Sequence, residues 1–182
     1  MKRRAASLRA ALSAGFGTLL VGCASLPPLP GETPWTTGRL SVRIDAQAER
    51  AAQSVSAGFE LRGDSQGGEL RLNSPLGTRL ATARWSPGVA LLDDGSGERA
   101  YDSLVALSQQ ALGEALPLEA LPAWLSGRPW PGTPHNTDVA GLTGFEQLGW
   151  QVDLARRSEG WIELRRSAPP AVRVRVKLDT SP

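Results

Sequence analysis

Val172-Arg173-Val174-Arg175-Val176-Lys177-Leu178 decides the fold, because apolar and charged residues alternate along it without a break. Such alternation is typical of an antiparallel β-strand with one buried and one solvated face. The same pattern predicts strands at 39–44, 54–62 and 69–72, and shorter ones at 78–85, 89–92, 147–154 and 161–165. Turn signals rich in glycine, proline and aspartate separate these segments. The chain is therefore predicted to be mainly β and antiparallel.

Helical spacing occurs only in the middle of the chain. One helix is predicted to begin after Asp102, as its N-cap, and to end near Gly113; a second covers 118–125, and the proline-rich range 128–137 is predicted to be a loop. A sheet with one apolar face must curl to keep that face dry. The prediction is an unclosed antiparallel β-barrel, a half-barrel, with two or three short helices as a lid. Periodicity alone leaves open whether its interior is a filled core or an apolar ligand cavity.

The N-terminus has the charge and order of a secretory signal peptide, with basic residues followed by an apolar stretch. The only cysteine of the chain follows in Leu20-Val21-Gly22-Cys23, which resembles the bacterial lipoprotein box; an incidental cysteine behind a signal peptide is the alternative. Ala24 in the next position resembles lipoproteins that are exported to the outer membrane. We therefore expect Cys23 to carry acyl chains that anchor the protein on the periplasmic side.

Four prolines between residues 24 and 34 predict a stiff tether rather than a part of the fold. The predicted organisation is a signal peptide (1–22), an acylated cysteine with its tether (23–36) and one folded domain (37–182). Four of the 20 basic residues lie in the first nine positions, which leaves 16 basic against 18 acidic residues in the mature chain. A nucleic-acid partner is therefore not expected. With one cysteine and one histidine, neither a metal nor a cofactor is expected.

Five stretches, in order along the chain, resemble the LolB family of outer-membrane lipoprotein receptors. They include Asn73-Ser74-Pro75-Leu76-Gly77-Thr78 and Trp124-Leu125-Ser126-Gly127-Arg128-Pro129, within the matching ranges 37–42, 58–61, 70–78, 116–129 and 145–152. The resemblance implies a half-barrel whose apolar cavity holds lipoprotein acyl chains. It also implies a protein that takes acylated lipoproteins from the periplasmic carrier LolA and inserts them into the inner leaflet of the outer membrane. We expect such a protein to be a monomer and not an enzyme.

The apolar face of the first strands would supply the cavity wall. Taken with the resemblance, the predicted acyl-binding residues are Leu40, Val42, Ile44, Val55, Ala57, Phe59, Leu61, Leu70 and Leu72. Leu76 stands on a turn between Pro75 and Gly77, where a large apolar side chain is usually buried back into the domain. In LolB-like proteins the leucine of this motif protrudes and places cargo into the bilayer, so the resemblance predicts this role for Leu76.

Two alternatives from other classes stay open. One is a lipid-anchored envelope scaffolding module with a solid β core. The other is a periplasmic enzyme that uses His135 or Asp93, although Asp93-Asp94 before Gly95 is more typical of a solvated hairpin tip. Trp124 and Trp150 are predicted to lie in the core or the cavity wall.

Overall fold

One antiparallel sheet makes up most of the part of the chain that the structure, a computed structural model, describes: residues 33–48 and 50–179. Its strands are β1 (Thr36–Ile44), β2 (Gln53–Gly63), β3 (Gly68–Asn73), β4 (Arg79–Ser86), β5 (Val89–Asp93), β6 (Glu98–Tyr101), β7 (His135–Asn136), β8 (Gly144–Gln147), β9 (Trp150–Asp153), β10 (Trp161–Arg166) and β11 (Val172–Leu178). The predicted signal peptide, Cys23 and most of the tether lie outside the described residues.

The strand order is β6-β5-β4-β3-β2-β1-β11-β10-β9-β8-β7, so the first and last strands of the domain meet in the middle of the sheet. Val42 lies opposite Val55 on one side and Val174 on the other. Because β6 and β7 stand at opposite ends of this order, the sheet curls without closing. The predicted half-barrel is confirmed.

One strand prediction needs correction, and two short strands were not predicted. The predicted strand 147–154 is a hairpin, β8 and β9, because Leu148 (φ 55°) and Gly149 (φ 75°) form a turn with positive φ. Positive φ at both positions is typical of the two-residue turns that join the strands of a hairpin. The strands β6 and β7 were not predicted, since each is short and lies at an edge of the sheet, where only one neighbour shapes it.

The helices lie where the sequence predicts them, with a corrected start. Helix α1 (Leu104–Leu112) is capped by Ser103, whose Oγ accepts a hydrogen bond from the amide of Ala106 at 3.0 Å, and it ends at Gly113. Asp102 was the wrong cap: the Ser103 Oγ accepts the capping hydrogen bond, so the helix begins one residue later. The second predicted helix begins as a 3-10 turn (Leu118–Ala120) and continues as α2 (Leu121–Leu125).

The hydrophobic core lies between the concave face of the sheet and these helices. Trp124 on α2 and Val152 on β9 are fully buried in it, and Ile162 on β10 is nearly so. Another 3-10 turn (Arg157–Glu159) joins β9 to β10. In the described part of the chain, no helix has both the length and the apolarity needed to cross a membrane.

Candidate functional site

An apolar cavity of about 870 Å³ lies between the sheet and the helices. The strands β1 to β6 and β9 to β11 supply one wall, while α1, the following linker and α2 supply the other. Its apolar lining is formed by Leu40, Val42, Val55, Leu70, Leu72, Ala81, Ala83, Leu92, Leu107, Ala111, Leu112, Leu116, Leu118, Leu121, Trp124, Trp150, Leu164 and Val174. The half-barrel is therefore hollow, a feature that strand periodicity left undecided.

The nine residues predicted for the cavity wall fall into two groups. Five of them line the cavity: Leu40, Val42, Val55, Leu70 and Leu72. The other four are packed in the core beside it: Ile44, Ala57, Phe59 and Leu61. Alternation identifies the inward face of a strand but not how deeply each side chain is covered by the next layer, and that depth separates the two groups.

Sequence reasoning missed the helical wall of the site as well as the lining residues of β4, β5, β10 and β11. Leu107, Ala111 and Leu112 of α1 face the cavity, and Leu118 and Leu121 continue this wall through the second helical segment. Their helical spacing was a usable signal, since an amphipathic helix packed over an apolar sheet turns its apolar stripe toward that sheet.

Two tryptophans line the cavity from opposite layers. The rings of Trp124 on α2 and Trp150 on β9 have centroids 6.4 Å apart and are tilted by 49°. This spacing is within the range of favourable aromatic pairs. The pair therefore helps to hold α2 against the sheet.

Polar side chains of the cavity lining include an ion pair between Asp94 and Arg99, together with Tyr101. Hydrogen bonds from Ser96 and the positive charge of Arg99 hold the pKa of Asp94 below its usual value. The ion pair of Asp94 in turn raises the pKa of Arg99. Both groups are thus charged at neutral pH, so an ion pair lines one part of the otherwise apolar cavity.

A buried glutamine joins the helical layer to the sheet. The Gln147 Oε1 accepts hydrogen bonds from the Trp124 indole (2.8 Å) and from the Trp130 amide (2.7 Å). Its Nε2 donates to the carbonyls of Trp130 (2.9 Å) and Thr133 (3.0 Å). Because every donor and acceptor of this buried amide is used, removing it would leave several polar groups unpaired.

The linker between α1 and α2 is fixed at two further points. The amide of Leu116 donates to the Oγ of buried Ser108 at 2.9 Å. Next to it, Arg166 on β10 donates to the carboxylate of Glu114 at 2.7 Å, and both side chains are largely covered. The helical wall is therefore attached to the sheet by specific polar contacts as well as by apolar packing.

Leu76 projects from the turn between β3 and β4, with 94% of its surface exposed. The turn closes by hydrogen bonds from the Gly77 amide to the Ser74 carbonyl (2.9 Å) and from the Thr78 amide to the Ser74 Oγ (3.1 Å). Gly77 has a φ of 83°, which a residue with a side chain adopts at a cost. The turn thus presents a leucine to solvent without using that side chain for its own stability.

His135 is not among the residues that line this cavity, and Asp93 immediately precedes Asp94, which is. His135, on the edge strand β7, meets the ring of Phe145 edge-on, with centroids 6.5 Å apart. In residues 33–48 and 50–179, no hydrogen bond joins its ring to a carboxylate or a hydroxyl group. The carboxylates of Asp93 and Asp94 accept hydrogen bonds from amides of their own turn, as in a hairpin tip.

Comparison with known proteins agrees with the resemblance found in the sequence. The family model described as outer membrane lipoprotein LolB matches residues 34–179. The outer-membrane lipoprotein LolB of Bordetella petrii is 35% identical over 174 residues, which cover 89% of this chain and 87% of the relative. That of Chromobacterium violaceum is 33% identical over 162 residues, covering 84% and 85% of the two chains. That of Cupriavidus metallidurans is 31% identical over 169 residues, covering 88% and 81%. The chain belongs to the LolB family of outer-membrane lipoproteins.

Proposed function

We propose that this protein is anchored to the outer membrane through acylated Cys23, faces the periplasm, and accepts lipoproteins from the carrier LolA. The acyl chains of the cargo enter the apolar cavity and then pass into the inner leaflet of the outer membrane. The cavity under the helices is the observation that carries this proposal.

The size and chemistry of the cavity suit acyl chains. Exposing on the order of forty methylene groups to water at ~0.8 kcal/mol each would cost tens of kcal/mol, so a transfer protein must cover them. The cavity volume of about 870 Å³ is near the upper end of the usual range for ligand sites, ~300 to 1,000 Å³. An apolar wall without specific polar contacts accepts chains of varied structure, because hydrophobic burial has no preferred direction.

The position of Leu76 supports a path from the cavity to the bilayer. Leu72 on β3 and Ala81 on β4 lie opposite each other, and both line the cavity. The turn that carries Leu76 joins these same two strands. At about 3.3 Å per residue, the chain from Leu72 to Leu76 spans at most ~13 Å. A leucine that enters the membrane would therefore bring the cavity wall close to the headgroups.

The hollow interior favours cargo transfer over the scaffolding module, since that alternative requires a solid β core. The enzyme alternative gains no support from His135, which lies at an exposed sheet edge, or from Asp93 in its hairpin turn.

A transfer assay in vesicles tests the proposal. Vesicles that carry the full acylated chain are mixed with a purified complex of LolA and a lipoprotein, and the cargo that sediments with them is measured. We expect more cargo than on bare vesicles. Equal amounts on both would overturn the proposed function.

Paired variants connect the assay to the cavity. Leu72→Glu places a carboxylate among apolar side chains, where an unpaired charge is costly. We expect cargo uptake to fall about tenfold or more, since 1.4 kcal/mol already changes Kd tenfold. Thr82→Glu is the control, because it makes a carboxylate on the outward face of neighbouring β4, opposite Arg71. Circular dichroism establishes beforehand that both variants fold.

A further inference from the structure

The outer surface of the middle of the sheet is strongly basic. The outward residues of β1, β10 and β11 include six cations, which we call the basic face: Arg39, Arg43, Arg165, Arg173, Arg175 and Lys177. Glu163 is the one acidic residue that points outward from these three strands. The concentration of charge is local, because acidic residues outnumber basic ones after residue 22.

Three of these arginines form a row across the strands. Arg173 lies directly opposite Arg43 on one side and directly opposite Arg165 on the other. Like charges in directly opposed positions destabilise a sheet. The row is therefore an arrangement that folding stability alone does not favour.

Neighbouring carboxylates neutralise this row only in part. Glu163 lies 2.9 Å from Arg165 and 3.1 Å from Arg173, and it also attracts Arg175 at 3.7 Å. Among the residues that the structure describes, the carboxylate paired with Arg43 is that of Asp45, at 3.5 Å, and 69% of the Arg43 side chain is exposed. The negative charge of Asp153 on β9 also acts on Arg165. An external anion would complete the charge balance.

The row lies at the same end of the sheet as Leu76. Asn73, the last residue of β3, pairs with Gly58 of β2. From Gly58 back to its first residue, Gln53, β2 extends toward the end of the sheet where Gln53 pairs with Ile44, beside the row. The turn between β8 and β9 is at this end too, and it exposes Leu148. The exposed leucines and the incompletely neutralised arginines thus lie at one end of the sheet.

We propose that the basic face docks on anionic phospholipid headgroups, with the row of Arg43, Arg173 and Arg165 nearest the bilayer. A membrane offers an anionic layer above an apolar one, which matches arginines beside protruding leucines. Guanidinium groups bind phosphate oxygens through two parallel hydrogen bonds. The orientation rests on the membrane contact proposed for Leu76, whereas the attraction itself needs neither carrier nor cargo.

The test measures how close the basic face lies to the membrane in the anchored, full-length protein. Ser167→Cys, in the turn next to the row, is labelled with a fluorophore, and the vesicles contain a headgroup-labelled quencher lipid. Flotation of the labelled protein with the vesicles is checked first, so that failure of the anchor is seen separately from failure of docking. Vesicles of phosphatidylcholine alone are compared with vesicles that also contain phosphatidylglycerol.

The test variant is Arg43→Gln with Arg173→Gln, and the control is Arg84→Gln with Arg128→Gln, which changes the net charge equally away from the basic face. We expect phosphatidylglycerol to increase quenching in the parent and 1 M KCl to abolish that increase, since the Debye length is then ~3 Å. Each arginine removed from the row should lower the ratio of docked to undocked protein about fivefold. The control should behave like the parent.

Equal quenching in both kinds of vesicle, or in the parent and the test variant, would overturn the proposal. If the test variant keeps its quenching but takes up less cargo from LolA, the basic face binds an acidic protein surface, and membrane docking is also overturned.

Discussion

Leu76→Glu is the substitution that best separates delivery of cargo from its uptake. The side chain is 94% exposed, and the hydrogen bonds that close its turn come from Ser74, Gly77 and Thr78. A surface change of this kind usually alters the free energy of unfolding by less than about 0.5 kcal/mol. We therefore expect the variant to fold and to accept cargo from LolA like the parent.

Delivery should be reduced, and the exposure of Leu76 gives the magnitude. Almost the whole side chain is available to enter lipid, and burial of a leucine contributes ~1.5 to 3 kcal/mol. Losing about 2 kcal/mol corresponds to about thirtyfold in the insertion step, at 1.4 kcal/mol per factor of ten. The desolvation of the new carboxylate adds to this loss.

The assay divides the cargo that sediments with vesicles into two fractions. Urea unfolds the protein and releases the lipoprotein held in its cavity, whereas lipoprotein integrated in the bilayer resists extraction. We expect Leu76→Glu to shift cargo from the integrated to the releasable fraction. Val105→Glu, at an exposed apolar position on α1, is the matched control and should deliver cargo like the parent.

The reasoning would be refuted if Leu76→Glu integrated as much cargo as Val105→Glu. A loss of uptake in a folded Leu76→Glu protein would also contradict it, because the turn would then belong to the acceptor site.

Further predictions concern the anchor, the core and the ion pairs. Cys23→Ser should abolish acylation, and fatty-acid label persisting in this variant would contradict the lipoprotein box. Phe59→Ala should lower the free energy of unfolding by ~3 to 5 kcal/mol, measured by urea denaturation, because the ring is buried in the core rather than in the cavity wall. Gln147→Ala should destabilise the protein and increase proteolysis of the proline-rich loop, because it leaves buried polar groups unpaired. If the variant resisted protease as well as the parent, Gln147 would not hold this loop in place. Burial raises the pKa of Glu69, but hydrogen bonds from two arginines outweigh burial and hold the pKa below 4.5. Its contribution to stability should therefore be present above pH 4.5 and lost as the pH falls through the lowered pKa, and Glu69→Gln should flatten this part of the curve of unfolding free energy against pH.

The cavity depends on distances between elements that are remote in the sequence. Alternation identified the inward faces of β1, β2 and β3, because side chains of a strand point to opposite sides in turn. It could not separate Leu72, which lines the cavity, from Phe59 on the neighbouring strand, which is buried in the core. How far the helices stand from the sheet makes that difference, and contacts such as that of Gln147 with Trp124 help to set this separation.

The exposure of Leu76 shows a second limit of local reasoning. Proline and glycine around it predicted a turn, but an apolar residue on a turn is buried in most domains, and only the family resemblance indicated that it protrudes. In the structure the turn closes through backbone groups and Ser74, which leaves the leucine free of the core.

The sequence by itself determined most of the strands, the helical segments, the family and the expected site of acylation, because each depends on neighbours within a few residues or on a short motif. The tertiary structure decided that the half-barrel is hollow, which of its apolar residues line the cavity, and that Arg43, Arg173 and Arg165 form one row. These properties depend on sheet curl and strand register. Both are set by packing between segments that lie up to about 140 residues apart, as Gly38 and Leu178 do, and no local pattern encodes that packing.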